Sequence, residues 1–246
     1  MSEAKISPLV GMIDKLARYA PISLGDRALL LALPSKSRVF NAGSYLNREG
    51  IAADHYGILV SGLACRHKIS GEGTRQIVSI VTPGDIFNLQ QLYLEDADHN
   101  IQTLAQCEIM MISGRALRQL VDDHPSVARA LVASMLVELS IAREWILSIG
   151  RHNARTRLAH LLCELALQLG NPSLAPGQSY ELPMSQEQLA DALGLTPVHI
   201  NRMLKSLVDD NLINYINRRV NIPDWHRLTE AGNFNSRYLH AFSHAS

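Results

Sequence analysis

The sequence predicts an α+β chain: an antiparallel β-roll preceded by helices, one long helix, and a C-terminal winged helix-turn-helix. Three observations carry this. Residues 37–113 hold short apolar runs cut by Gly50, Gly62, Gly73 and Gly84 at nearly regular intervals, the spacing of strands and turns in an all-β barrel or sandwich. From Pro125 to Gly150 the apolar residues recur at helical spacing without a break. From Ser185 onward, two helix-start signals flank a glycine, as in two short helices joined by a tight turn.

The elements follow in order. Residues 1–33 read as helical, with Leu9, Met12, Ile13 and Leu16 on one face, then Leu29, Leu30 and Leu33, until Pro34 stops the pattern. The strands of 37–113 include Tyr56–Val60, Cys65–Ile69, Gln76–Val81 and Glu108–Ile112, and their glycines can take the positive φ of tight turns. Pro125 suits the first turn of the long helix. Along it Val132, Met135, Leu139, Ala142, Ile146 and Ile149 step by threes and fours, the a/d seam of two helices lying side by side. A second set, Val127, Leu131, Val137, Ile141 and Trp145, is free to face the roll. The same spacing also suits a helix packed within one subunit. Residues 152–170 form a further amphipathic helix with Leu158, Leu161, Leu162, Leu165 and Leu169 on one face, and 171–179 is a loop by composition.

Ser185 with Gln188 is a capping box opening a short helix through Gln186, Leu189 and Leu193, and Gly194 supplies the turn. Thr196 is a good N-cap and Pro197 fits the first helical position of the second helix. Ile200, Met203, Leu204 and Leu207 then point inward, leaving Val198, Arg202 and Lys205 outside, flanked by His199 and Asn201. Arg can bond guanine and Asn adenine through two hydrogen bonds each, Val can touch a thymine methyl, and a helix start with a Thr hydroxyl suits a phosphate. Leu212–Ile216 and Val220–Ile222 flank Asn217, Arg218 and Arg219, a hairpin with a basic turn near phosphate. Over 178–222 the bases are Arg202, Lys205, Arg218 and Arg219, against Glu181, Glu187, Asp191, Asp209 and Asp210. The segment is not basic in sum, but its cations fall on the reading helix and the wing. The boundaries are 1–124 for the sensor-like roll, 125–150 for the dimerisation helix, 151–228 for the DNA-binding domain and 229–246 for a tail.

Composition excludes more than it assigns. The 246 residues balance 23 basic against 23 acidic side chains, so nucleic-acid binding must rest on local charge. Cys65, Cys107 and Cys163 are scattered in apolar runs and read as buried thiols, not as disulfide or zinc ligands. No charged start followed by an apolar stretch and no apolar run of membrane length occurs, so a cytoplasmic location is expected and no membrane contact. No nucleophile–base signature, P-loop or metal-spaced cluster points to an enzyme.

The whole pattern resembles the Crp/Fnr superfamily of transcription regulators. Gly50, Gly62, Gly73 and Pro83–Asp85 match the glycines of its cyclic nucleotide-binding-like roll, His124-Pro125 the start of its dimer helix, Arg157–Glu164 the first helix of its DNA-binding domain, and Gln188–Leu204 its helix-turn-helix. Asp224-Trp225 and Tyr238–His240 resemble the tail of one branch. The resemblance implies a homodimer on palindromic double-stranded DNA, with Val198, Asn201 and Arg202 at the reading positions and Ser185, Gln186, Thr196, His199, Lys205, Arg218 and Arg219 around them. Many relatives have Glu where Val198 stands, which implies a different DNA site. Contact with RNA polymerase is implied too, the 70–74 loop being one candidate surface.

The departure lies at the effector. Cyclic-AMP binders in this family carry Gly-Glu for the ribose and Arg-Ser for the phosphate, where this chain has Asn88-Leu89 and His99-Asn100. A cyclic phosphate needs a cation and donors, and Arg143 on the long helix is the remaining candidate. Cyclic AMP is disfavoured. So is an iron–sulfur cluster, since no cysteine precedes Cys65. Haem stays open through His67, His99 or His124, and a regulator with no cofactor or effector is equally compatible. The competing reading is a sensor of some small ligand that acts through protein partners. Effector, activation or repression, and target genes are not written in the chain.

Overall fold

The computed structural model describes residues 7–53, 55–169 and 179–240. The expected loop over 171–178 and the last residues of the tail lie outside these, and Ser179 opens a strand. The described chain divides into two compact units, one of 1–66, 80–140 and 239–246, the other of 67–79 and 141–238.

The first unit begins with helices α1 (Leu9–Ala17) and α2 (Leu24–Leu31). Ser23 caps α2 by a reciprocal box with Asp26. Eight strands follow along the chain, residues 67–79 of β4 and β5 grouping with the second unit: β1 (Ser35–Phe40), β2 (Tyr45–Asn47), β3 (His55–Ser61), β4 (Ala64–Ile69), β5 (Arg75–Val81), β6 (Ile86–Phe87), β7 (Asn100–Thr103) and β8 (Cys107–Ser113). They form two four-stranded sheets in the orders β1-β8-β3-β6 and β2-β7-β4-β5. Gly50, Gly62, Gly73 and Gly84 all take positive φ. At Gly62 a Cβ would also sit 2.3 Å from the Gln106 carbonyl oxygen, so any side chain there would push β3 and β8 apart.

Alternation along the first sheet sorts its residues to two cores. Tyr56 and Ile58 of β3 stand opposite Ile112 and Met110 of β8. These pack with Leu9, Met12 and Ile13 of α1 and with α3 (Gly114–Asp123) and the start of α4 (Pro125–Arg151). The other face carries Leu59, Cys107 and Ile109, which enclose Phe87, Val81 and Ile101 inside the roll. All three cysteines are buried free thiols. Burial pushes the Cys107 and Cys163 thiols up, so neither is a reactive thiolate at neutral pH.

The second unit is built round α5 (Ala154–Leu169), with α6 (Gln186–Leu193), α7 (Pro197–Asp209) and α8 (Trp225–Ala231). Strands β9 (Ser179–Glu181), β10 (Asn214–Ile216) and β11 (Arg219–Asn221) form an antiparallel sheet in the order β10-β11-β9. The sequence predicts one apolar face for α5. Instead every residue from Leu158 to Ala166 is buried, because α6, α7 and α8 pack round it. That buries His160 and Glu164 as well.

Both polar side chains are satisfied. The Trp145 Nε1–H donates to the Glu164 carboxyl at 3.1 Å. The Tyr238 hydroxyl lies 2.7 Å from Glu164 Oε2 and 3.0 Å from His160 Nε2, and His160 Nδ1 lies 3.1 Å from the Gly232 carbonyl oxygen. The Tyr238 hydroxyl donates to Glu164 and stands between it and His160. Burial disfavours a charge at either end. It raises the Glu164 carboxyl to about 7 and holds the His160 imidazole below its usual range.

This gives a pH prediction. In the unfolded chain Glu164 titrates near its ordinary 4.5, and in the folded chain near 7. Its contribution to stability is therefore whole below about 4.5 and is lost as pH rises through about 7. Glu164→Gln removes the titrating proton and keeps the size of the side chain. The melting temperature of this variant should gain on the wild type between about pH 5 and pH 8. Thermal unfolding of both proteins across that range checks it, and a constant difference would contradict a raised Glu164 carboxyl.

Candidate nucleic-acid interface

The geometry of α7 begins with its caps. Ser185 and Gln188 complete the capping box of α6, with the Gln188 N–H 3.1 Å from Ser185 Oγ and the Ser185 N–H 2.8 Å from Gln188 Oε1. The turn bends at Gly194 in the left-handed region, φ 62°. Thr196 then caps α7, its hydroxyl accepting from the His199 N–H, and Pro197 occupies the first turn. The first-turn N–H of Val198 has no intrahelical acceptor and points out of the helix start. Ile200, Leu204 and Leu207 are buried, and Met203 is half-buried.

That stripe decides the rest of the face. Val198 is 79% exposed, and His199, Asn201, Arg202 and Lys205 are exposed beside it. His199 Nδ1 sits 3.1 Å from the Thr196 hydroxyl, which ties the ring to the helix start. Ser185 and Gln186 are half-buried at the start of α6, with the Ser185 hydroxyl committed to its cap. The wing turns through Asn217 and Arg218, both at positive φ, a type I′ hairpin. Arg218 and Arg219 are exposed, and the Arg219 guanidinium donates to Ser179 Oγ at 3.1 Å.

The local charge balance differs from the sequence count. Asp191 is held by Arg75, whose Nη2 and Nε lie 2.6 and 2.7 Å from Asp191 Oδ2. Arg155 pairs with Asp210. Both partners come from outside the 178–222 segment. Arg202, Lys205, Arg218 and Arg219 make no ion pair among the described residues. Arg219 stands across the sheet from Glu181, which leaves Arg202, Lys205 and Arg218 as the outward cations, while two of the nearby acids are not free to repel a polyanion.

Two contributors were not visible in the sequence pattern. Strand β9 supports the wing through Tyr180 and Val220; it is three residues long, too short for a periodic signal. Arg157 donates from Nη1 to the Leu193 carbonyl at 3.0 Å and from Nε to the His152 carbonyl at 2.9 Å. It fastens the last turn of α6 to the start of α5, and only the fold brings those carbonyls together.

The long helix presents a shifted seam. Val132, Leu139 and Ile146 are exposed as the spacing predicts, but Met135 packs against the core of the first unit and Ala142 and Ile149 are half-buried. Leu136 and Leu147 are exposed instead. The roll competes for the inner side of the helix, and it takes Met135.

The effector candidates are engaged internally. Asn88 is buried at φ 69° and donates to the His55 carbonyl. Leu89 belongs to the core. His99 contacts Asp98 at 2.6 Å, and Asn100 accepts from the Glu49 N–H. Arg143 is exposed and belongs to the other compact unit. The buried cation of the roll is Arg66 on β4, and its guanidinium lies 2.6 Å from Glu138 of α4. Among the described residues no group of three His, Cys, Asp or Glu side chains could hold a metal ion, and no helix is long and apolar enough to cross a membrane.

Two family descriptions match in chain order. Residues 37–124 match the cyclic nucleotide-binding domain and residues 156–231 the Crp-like helix-turn-helix domain. The chain is similar to the transcriptional activator protein FnrL of Cereibacter sphaeroides, 29% identical over 78% of this chain and 79% of that protein. It is as similar to the nitrogen fixation regulation protein FixK of Azorhizobium caulinodans, 29% identical over 80% and 79%. Among solved structures, FixK2 of Bradyrhizobium japonicum shares the fold with a TM-score of 0.73 at 24% identity, covering 81% of this chain and 98% of that one.

Arg157→Ala should lower the stability of the second unit by about 1.5–3 kcal/mol, the range for losing charge-assisted bonds to carbonyls. Lys205→Ala, on the exposed face, should stay within about 0.5 kcal/mol. Denaturant unfolding of the two variants makes the comparison.

Proposed function

The chain belongs to the Crp/Fnr superfamily of DNA-binding transcription regulators, and from that premise we propose that it reads a two-fold symmetric DNA site as a homodimer, without cyclic AMP. The observation that carries the reading is the face of α7: Val198, Asn201, Arg202 and Lys205 exposed, with both cations uncompensated. Inserted in the major groove, Arg202 takes a guanine, Asn201 an adenine edge and Val198 an apolar contact, while Thr196, Arg218 and Arg219 hold phosphates. Half-sites about 34–36 Å apart match such a dimer.

Dimerisation through α4 is supported by its outward apolar residues. Ile146 is 72% exposed, Leu136 58% and Leu139 47%, a stripe that a lone chain would leave in water. The effector reading is supported by Arg66. Its charge is already matched by Glu138, so a cyclic phosphate entering the roll would have to displace that carboxylate and would meet neither a Glu for its ribose nor the Arg-Ser pair of cyclic-AMP binders. Activation through RNA polymerase fits the naming of FnrL as an activator. The exposed turn at 70–74, closed by a 2.8 Å bond between the Ser70 N–H and the Thr74 carbonyl, is the surface we assign to it.

In a gel shift with a selected palindromic site, wild type should bind without added cyclic AMP, and adding it should leave the affinity unchanged. Arg202→Ala should weaken binding by about 1–3 kcal/mol and relax the requirement at one base pair of each half-site. No loss of affinity would sink the assignment of α7 as the reading helix. Separately, Leu139→Glu with Ile146→Glu should convert a sedimenting dimer to a monomer, since two buried carboxylates facing their twins cannot be accommodated. A variant that remains dimeric places the interface elsewhere.

A further inference from the structure

The first sheet carries a second feature on the side that lines the roll. The register sets Lys36 abreast of Met111, Arg38 abreast of Ile109, and His55 abreast of Ser113. Directly paired residues point to the same face, so Lys36, Arg38 and His55 project from one surface of β1 and β3. Together with Ser35, Met111 and Ser113 they line an open cavity of about 440 Å³, within the size range of small-molecule sites.

Among the described residues no acid lines this cavity. Lys36 and Arg38 are two positions apart on one strand face, roughly 7 Å along β1 from the strand rise. The residues opposite them are Met111 and Ile109, not acids, and neither cation makes an ion pair among the described residues. Several other cations of the same unit are matched: Lys15 by Asp85, Arg27 by Asp14 and Arg66 by Glu138, while Arg48 stacks on Tyr45. Like charges side by side on a sheet repel, and an anion between them relieves that repulsion. Arg38 supplies a planar fork, Lys36 a point charge, and Ser113 a hydroxyl donor. Met111 is half-buried and gives the cavity an apolar wall.

We propose that this cavity binds a small organic anion, its phosphate or carboxylate head held by Lys36 and Arg38 and its apolar body lying against Met111. The site is separate from Asn88, Leu89, His99 and Asn100, and it is independent of the DNA reading, so either can fail alone.

Calorimetric titration of the full-length protein tests it, with phenyl phosphate and phthalate as organic probes and inorganic phosphate as the bare head group. One saturable site per chain is expected for an organic probe, at or below about 1 mM. Tighter binding of phenyl phosphate or of phthalate identifies the head group. The double variant Lys36→Ala/Arg38→Ala alters only exposed side chains. It should keep its circular dichroism and lose more than about tenfold in affinity, while Arg237→Ala, an exposed cation of the other unit, should bind as wild type does. The proposal is overturned if neither organic probe saturates, if inorganic phosphate binds as tightly as the organic probes, or if the double variant and Arg237→Ala behave alike.

Discussion

A helix of 3.6 residues per turn cannot bury one stripe without committing the opposite one to solvent. In α7 the buried stripe is Ile200, Leu204 and Leu207, and everything proposed about base reading follows from it. The anchors leave Val198, Asn201, Arg202 and Lys205 outside, and the Thr196 cap with Pro197 sets where the helix starts. Rotating the helix by one residue would bring Asn201, Lys205 and Val208 into that stripe and bury the Lys205 ammonium, at a cost of several kcal/mol. The face is therefore held by the core and not by contacts of its own, which leaves its polar groups free for a partner. Arg157 adds the second constraint, since it ties α6 to α5 at both Leu193 and His152.

The second unit combines this apolar anchoring with an unusual polar centre. Glu164, Tyr238 and His160 sit on the central helix and the tail, and Trp145 reaches them from the long helix. Leaving any one of these groups unpaired in such a place costs about 1–3 kcal/mol or more, so the tail from Gly232 to Tyr238 is part of the core. A boundary drawn at residue 228 passes between Leu228 and the groups that complete this network, whereas the compact unit runs to Tyr238.

Much of this was readable in the chain because it rests on local rules. A capping box, a Gly in the left-handed region and a Thr-Pro helix start need only neighbours in sequence, and α6 and α7 carry all three. The glycines of the roll likewise report their own φ. What stayed hidden depends on distant partners. The pairing of Arg75 with Asp191 spans 116 positions, and no composition count over 178–222 can include it. The seam on α4 was half legible because periodicity gives the stripe but not which neighbour claims each side. Met135 and Leu136 are both apolar, and the roll core takes the first. For the same reason His160 and Glu164 read as polar positions on an amphipathic helix, although the packing of three other helices encloses them.

A chain with no net charge that binds a polyanion has to keep its cations from cancelling one another's work. Screening confines exposed charges to about 8–10 Å at physiological salt, so the sum over the protein is irrelevant and the local pattern is what a phosphate meets. The second unit reaches such a pattern by subtraction. Asp191 and Asp210 are occupied by Arg75 and Arg155, arginines that would otherwise add to the positive field but instead remove two negative ones next to the reading face. The cations on α7 and the wing make no ion pair among the described residues. The same logic holds in the roll, where Arg66 is spent on Glu138 and Lys36 and Arg38 are not. Where this protein groups cations that no carboxylate holds is thus more informative than its total of basic residues.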